Sequence, residues 1–223
     1  MTANPFQHEV LWRLGPVGIT RPVVVTWGVI AVLALLAWLA TRRLSVDRPG
    51  RLQAAAEVLL TTLRDEMRST MKLEPEPFLP LLGTIFIFIL AANLSGFVPG
   101  VEPPTGTLET DLALALAVFA AVVGWGVRRH GLVGYLKTYT RPTLLMLPLN
   151  LLEALTRVVS MTVRLFGNVM SGMFISAVVL GLAGLLVPIP FMALELLTGL
   201  IQAYIFTVLA MVFVAAAAGD GEG

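Results

Sequence analysis

Six polar side chains recur at three- and four-residue steps within a strongly apolar stretch, the spacing that places side chains on one face of an α-helix. They are Glu153, Arg157, Ser160, Arg164, Asn168 and Ser171. Arg164 is the last basic residue of the chain, and thirty uncharged residues separate it from Glu195. An arginine in the hydrocarbon layer of a membrane costs about 3 kcal/mol or more unless it faces protein, water or an opposite charge. The sequence must therefore provide Arg164 with polar surroundings.

A second polar stripe follows that uncharged run and consists of Glu195, Thr198 and Gln202 at the same spacing. The two stretches are consecutive helices joined by a turn, so we expect antiparallel neighbours whose polar faces meet. Polar groups would then converge on Arg164 from both sides of the membrane. Small residues that would let another helix approach stand close to it: Gly167, Ser171 and Gly172.

This arrangement suggests two half-paths for a proton or another cation, separated by a fixed charge. The guanidinium of Arg164 cannot relay protons by losing its own, and it favours the ionised form of a nearby carboxyl group. We therefore assign ion translocation to Arg164, Gln202, Glu195 and Asn168, and we also assign a possible inner half-path. The inner half-path is Glu153, Arg157 and Ser160.

Simpler structural roles are open for the same side chains. Glu153 and Arg157 are four residues apart and could form an ordinary ion pair on one helix. Gln202 and Asn168 could be hydrogen-bonding groups between helices, and Glu195 could be a carboxylate at the membrane interface.

The composition is that of an integral membrane protein, with 57% hydrophobic residues and a mean hydropathy of +0.87. Soluble domains rarely exceed about half apolar residues. The sequence has no cysteine, which excludes disulfides and thiol chemistry, and its two histidines lie outside the apolar runs. Basic residues form no patch suited to nucleic acid, and no GxxxxGK[ST] motif occurs. We therefore expect no cofactor, no metal site, no nucleic-acid partner and no ATP chemistry within this chain.

Apolar runs and turn signals predict an all-α integral membrane protein with about five membrane crossings and one amphipathic surface helix. We expect that helix to lie on the membrane surface or on a partner. Gly181, Gly184, Pro188 and Pro190 predict a wide turn in an antiparallel, tilted hairpin formed by the last two helices. Residues 1–223 form one membrane domain in this interpretation. Its elements are a first span at 23–40, the surface helix at 51–72, a second span at 81–98, a third span at 112–127 and the hairpin at 148–217.

The charged connections predict the orientation of the chain, because basic loops stay on the cytoplasmic side of a membrane. Basic residues cluster within residues 42–51 and 128–141, whereas the loop at 99–111 contains three acids and no base. We therefore expect an amino terminus outside and a carboxy terminus in the cytoplasm.

Four motifs resemble the subunit a family of F-type ATP synthases. The run RLFGN at residues 164–168 resembles the signature of the family, and LIQAYIF at 200–206 resembles the motif of its last helix. The run TIFIFILAANLSGFVPG at 84–100 is similar to its second span, and PGRLQ at 49–53 is similar to the start of its surface helix. The order and spacing of these motifs agree over nearly the whole chain.

The resemblance implies a stator subunit that is not catalytic by itself but belongs to a complex coupling ion translocation to ATP synthesis. It implies that Arg164 is the essential arginine facing a rotating c ring, with Gln202 beside it and two half-channels lined by the last two helices. The small residues near Arg164 would then pack closely against the rotor. Implied partners are the c ring, b-type peripheral stalk subunits, the rest of the F-type ATP synthase and the lipid bilayer. The implied location is the bacterial inner (plasma) membrane, and the ion is a proton or sodium.

The chain departs from the family pattern at three places. Met173 stands where many members have an ionisable residue, and Glu195 stands where some have histidine. Arg157 and Val158 replace a Lys-Pro pair that many members have. Glu195 is consequently the only acid that we assign to the outer half-path.

Two other classes of function are open. A self-contained secondary transporter would often bind its substrate at broken helices between internal repeats, but no repeat is apparent and no deep acid is paired with the central arginine. A structural membrane anchor would not need Arg164 within a span.

Overall fold

The structure is a computed structural model that describes residues 10–14, 17–42, 45, 50–98, 101–139, 144–183 and 188–219. Helices dominate these ranges, which confirms the predicted all-α class. The helices are α1 (Arg21–Thr41), α2 (Arg51–Met71), α3 (Leu79–Ser95), α4 (Leu108–Tyr139), α5 (Leu147–Ala183) and α6 (Pro188–Ala218). The 3-10 turns Pro104–Gly106 and Leu144–Met146 precede α4 and α5.

Four of these helices, α1, α4, α5 and α6, are long and apolar enough to cross a membrane. Helix α3 is apolar but has only 17 residues, roughly 26 Å of helix, slightly less than the hydrocarbon core of a bilayer. It starts just before the predicted second span and ends at Ser95, short of the predicted residue 98. The chain is thus a multi-pass α-helical membrane protein.

An antiparallel β-hairpin precedes α1 and consists of β1 (Val10–Leu14) and β2 (Val17–Thr20). The sequence analysis did not foresee these strands, because segments of five and four residues are too short to show a clear hydrophobic period. Arg21 follows β2 directly, and Pro22 occupies the first turn of α1, where its missing N–H breaks no helical hydrogen bond.

Helix α2 is amphipathic as predicted, but its apolar side packs on the chain itself. Leu63, Met67 and Met71 are buried, and both methionines belong to the core that includes residues of α3 and α6. Tyr204 of α6 also donates a hydrogen bond of 2.8 Å to a carboxylate oxygen of Glu66. The chain's own helices therefore cover part of the apolar face of α2, whereas Leu52, Val58 and Leu60 stay exposed.

Helix α4 is longer than the predicted span 112–127, since it begins at Leu108 and continues to Tyr139. It bends at Gly131, whose φ of 71° lies in the left-handed region that glycine adopts at little cost. The basic residues that the sequence analysis assigned to a connection, Arg128 and His130 among them, thus stand on a helix.

Helices α5 and α6 pack against each other as a hairpin. The connection between them is shorter than predicted, since α5 extends to Ala183 and α6 begins at Pro188. Pro188 and Pro190 stand in the first turn of α6, where proline is tolerated, so they start the helix instead of widening the turn. Gly184 lies outside the described residues.

Helix α6 lies at the centre of the apolar core. Its residues Phe206, Met211 and Val214 are almost completely buried, and helices α3, α4 and α5 all pack against it. These neighbours contribute Leu82, Ile89, Val118 and Leu165 to the same core. The core therefore fixes which side of α6 is turned towards α5.

Met67 provides a test of the packing of α2, because none of its surface is exposed. We expect Met67→Ala to leave a cavity and to lower the free energy of unfolding by about 2–5 kcal/mol. The matched control is Val58→Ala on the same helix, where the valine is 65% exposed. Thermal denaturation of the detergent-purified chain compares the two variants, and similar losses would contradict the burial of Met67.

Candidate functional site

The amino-terminal half of α5 and the carboxy-terminal half of α6 border an open pocket of about 330 Å³, which we name the arginine vestibule. Its polar wall on α5 is formed by Glu153, Arg157, Ser160 and Arg164. Leu209 and Phe213 of α6 face this wall. The three- and four-residue spacing turns the polar residues of α5 to the same side of the helix. The predicted inner half-path and Arg164 thus share one pocket.

Arg157 connects the two helices at this pocket. Its guanidinium donates a hydrogen bond to the carboxylate of Glu153, one helical turn earlier. Its central carbon Cζ lies 4.8 Å from the ring centre of Phe213 on α6, a cation–π contact. The ion pair that the sequence left open is therefore present, and it is tied to α6 through an aromatic ring that the sequence analysis did not identify.

Arg164 is exposed in the wall of the arginine vestibule. It forms no ion pair within the described residues. The next residue, Leu165, has no exposed surface, so α5 turns Leu165 into the core and Arg164 away from it. A permanent charge in this position requires water or an outside partner to lower its cost.

Gln202 of α6 is buried, with 7% of its surface exposed. Its amide nitrogen Nε2 has no hydrogen-bond partner in the part of the chain that the structure describes. Such an unsatisfied group costs about 1–3 kcal/mol, so we expect water or another subunit to supply its partner. Asn168 is half-buried, and its backbone carbonyl accepts a hydrogen bond of 3.0 Å from the exposed Ser171.

Glu195 packs beside the carboxy-terminal end of the polar stripe on α5, at Gly172 and Ser176. Its carboxylate accepts a hydrogen bond of 3.0 Å from Ser176. A Cβ atom added at Gly172 would lie only 2.5 Å from Oε1 of Glu195, so the glycine makes room for this carboxylate. At Gly167, by contrast, an added Cβ would meet nothing within 4 Å. The sequence analysis predicted that Gly172 packs against the rotor. In the structure, its missing side chain makes room for Glu195.

The polar surroundings of Glu195 include residues of α3 and of the turn before α4. Asn93 donates a hydrogen bond of 2.8 Å to the backbone carbonyl of Gly199 and accepts one of 2.7 Å from Thr105. Asn93 and Glu195 also line one small cavity of about 10 Å³, roughly the room that one water needs. The sequence signal for Asn93 was a polar residue near the end of an apolar span, but its link to α6 is visible only in three dimensions.

Asp111 is a further residue whose surroundings the sequence analysis missed. It has no exposed surface, and neither carboxylate oxygen has a hydrogen-bond partner within the described ranges. It follows the turn at Gly106, where an added Cβ would lie 3.2 Å from the sulfur of Met173 on α5. The sequence assigned Asp111 to the acidic loop at 99–111, whereas it stands in the first turn of α4, where it is buried.

Two polar sites result, the arginine vestibule and a glutamate site formed by Glu195, Gly172 and Ser176. Gly172 and Ser176 follow Arg164 by eight and twelve residues on α5, roughly 12 and 18 Å of helix. Glu153, Arg157 and Ser160 thus share the pocket of Arg164, whereas Glu195 lies further along α5, beside Gly172 and Ser176. The convergence of polar groups on Arg164 stays a prediction. No group of three histidine, cysteine or acidic side chains that could hold a metal ion is present in the described residues.

The fold and these two sites define a multi-pass helical membrane protein with polar groups along its last two helices. A family model described as ATP synthase A chain matches residues 23–215. The chain is 54% identical over 220 residues to ATP synthase subunit a 2 of Bradyrhizobium sp., covering 99% of this chain and 98% of the relative. It is 47% identical over 214 residues to ATP synthase subunit a 1 of Chlorobaculum parvum, covering 96% of this chain and 95% of the relative.

The chain therefore belongs to the ATP synthase A chain family. This confirms the resemblance found in the four sequence motifs. As a member of this family, the chain is a membrane-embedded stator subunit of ATP synthase.

Gly172 and Gly167 form a matched pair that tests the position of Glu195. Replacing a glycine inside a helix by alanine ordinarily stabilises the protein by about 1 kcal/mol. We expect that gain for Gly167→Ala, but not for Gly172→Ala, because its new methyl group would displace Glu195 from Ser176. Thermal denaturation of the detergent-purified chain measures both. An equal gain at the two positions would mean that Glu195 does not occupy this place.

Proposed function

We propose that this subunit translocates protons or sodium ions by exchanging them with carboxyl groups on a rotating ring of c subunits. The observation that carries the proposal is the exposed Arg164, which stands on a membrane helix, has no ion pair within the described residues and lines an open pocket. A fixed positive charge there is placed to ionise a carboxyl group that arrives from outside the chain. Membership of the family supports the same assignment.

In this mechanism an ion enters through one half-channel and neutralises a carboxylate of the ring. The neutral carboxyl group can then face lipid at low cost, whereas an ionised carboxylate cannot. Rotation brings it to the other half-channel, where the guanidinium of Arg164 favours the ionised carboxylate and the ion leaves. Arg164 also separates the half-channels, because it does not pass protons itself. The subunit thus acts by electrostatics and makes no covalent chemistry of its own.

We assign the arginine vestibule to one half-channel and the glutamate site to the other. The first assignment rests on a continuous polar wall that leads to Arg164: Glu153, Arg157 and Ser160. The second rests on the carboxylate of Glu195, which reaches a small cavity shared with Asn93. Asn168 lies on α5 one turn beyond Arg164, and Gln202 lies on α6 with an unpartnered amide. We propose that Asn168 contacts the ring carboxyl group and that water reaches the amide of Gln202 between the two half-channels.

We propose that the ring packs on the face of α5 that carries Gly167 and Ser171. Both residues are exposed, and the absence of a side chain at Gly167 lets a second helix approach closely. Leu165 and Met161, which are buried, occupy the opposite side of the helix. The contact therefore places a ring helix beside Arg164 without disturbing the core.

Membership of the family supports a proposal for the remaining partners and the location. We propose that b-type peripheral stalk subunits and the rest of the F-type ATP synthase bind this chain in the bacterial inner membrane. The amino terminus is outside and the carboxy terminus is cytoplasmic in this proposal, because the basic residues cluster within 42–51 and 128–141.

Arg164→Ala tests the function directly. We expect it to abolish coupled ATP synthesis, with a passive ion leak of the membrane sector, because the barrier between the half-channels is gone. Arg164→Lys should also fail, since lysine is a compact charge that can lose its proton. The matched control is Val163→Ala, at the 56% exposed neighbouring position. Synthesis and leak are measured in vesicles with equal amounts of assembled complex, and normal synthesis in Arg164→Ala would remove the proposal.

Single engineered cysteines test the orientation, because the chain has none of its own. A membrane-impermeant thiol reagent added outside intact cells should label Glu109→Cys and spare Lys137→Cys, since both residues are exposed but stand at opposite ends of α4. Thr105 is unsuitable as an outside reporter because it is completely buried. Labelling of residue 137 alone would reverse the proposed orientation.

A further inference from the structure

A second open pocket lies beside the arginine vestibule and reaches α4. It has a volume of about 240 Å³, and we name it the α4 vestibule. Tyr135 and Asn150 line this pocket but not the arginine vestibule. Glu153, Arg157 and Phe213 line both pockets. These three residues therefore form a wall between the two vestibules.

Arg157 is held in this wall from two sides. Its guanidinium donates a hydrogen bond to Glu153, and Cζ lies 4.8 Å from the ring centre of Phe213. The face of an aromatic ring attracts a cation, and the two contacts together restrict a long side chain that otherwise has many rotamers. The positive charge is thereby held beside Glu153, one turn before Arg157, and so is directed away from Ser160 and Arg164, which follow it on α5.

The position of this charge matters for any cation that uses the arginine vestibule. Ser160 and Arg164 line the pocket beyond Arg157, so a guanidinium released from Phe213 is free to reach towards them. Its positive charge would then lie closer to the approach to Arg164. A unit charge about 6 Å away changes the local concentration of a monovalent cation about three- to tenfold at an effective dielectric constant of about 40–80.

We propose that Phe213 is a positioning residue that holds the charge of Arg157 beside Glu153 and away from the part of the arginine vestibule that Ser160 and Arg164 line. The aromatic face is the essential property, because an aliphatic side chain of similar size fills space without attracting the guanidinium. The inference rests on the proposed function in treating this vestibule as a half-channel for protons or sodium ions. Its test depends only on how a charged probe reaches the pocket.

The experiment compares two thiol reagents of similar size, one with a quaternary ammonium group and one neutral. Both modify Ser160→Cys in the assembled complex, purified into lipid nanodiscs so that both membrane faces are accessible, and no native cysteine of this chain competes. Phe213→Leu should slow the cationic reagent relative to the neutral one about three- to tenfold. Phe213→Tyr keeps the aromatic face and should leave the ratio unchanged, as should Val212→Ala at the exposed neighbouring position.

A double-mutant cycle then asks whether Phe213 acts through Arg157. If it does, adding Phe213→Leu to Arg157→Gln should change the ratio of rates no further. Arg157→Lys with Phe213 intact should lower the ratio in the same direction, because a lysine lacks the planar group that stacks on the ring. This variant keeps the proposal testable if Phe213→Leu does not assemble.

Three results would each overturn the proposal: an unchanged ratio in Phe213→Leu, equal slowing of both reagents, or a full effect of Phe213→Leu in the Arg157→Gln background. Equal slowing would mean that Phe213 only fills space. Normal synthesis in Arg164→Ala would overturn the proposed function instead, and it would leave these rate ratios as they are.

Discussion

The cost of holding a guanidinium on an apolar membrane helix is the constraint on which the rest of the structure depends. Arg164 stays charged, and hydrocarbon does not solvate it. Helix α5 turns Leu165 into the core and leaves a pocket of about 330 Å³ open beside the arginine. Water and a partner surface can therefore reach the charge while the helix stays intact. The three- and four-residue spacing of the polar stripe follows from the same requirement, because each polar neighbour has to share that side of α5.

Apolar packing, more than polar contact, fixes the partner helix. Phe206, Met211 and Val214 anchor α6 in a core shared with α3, α4 and α5. Their burial determines that Phe213 reaches Arg157 and that Gln202 is buried with an unsatisfied amide. A buried amide without a partner persists only where surrounding packing is strong enough to offset its cost. The apolar core thus holds polar groups in positions that polar contacts alone would not stabilise.

The spans and the polar stripe were predictable because hydrophobicity and helical spacing are local properties of the sequence. The hydrophobic face of α2 was predictable too. The residues that pack on it were not, because Met67 belongs to a core that includes residues distant in sequence. For the same reason the sequence did not reveal that Phe213 stacks on Arg157 or that Asp111 is buried. The assignment of Glu195 to the outer half-path needed only its place in the sequence, whereas its contact with Gly172 and Ser176 depends on how α5 and α6 pack.

The distance along α5 between Arg164 and the glutamate site affects how an ion can pass from one site to the other. The glutamate site stands at Gly172 and Ser176, roughly 12–18 Å along α5 from Arg164, and Arg164 itself does not relay protons. Hydrogen bonds between side chains reach only about 3 Å, so the carboxylate of Glu195 does not pass a proton directly to the arginine vestibule. In the proposed mechanism a carboxyl group on the ring carries the ion between the two sites, and the small, exposed Gly167 between them leaves room for a ring helix.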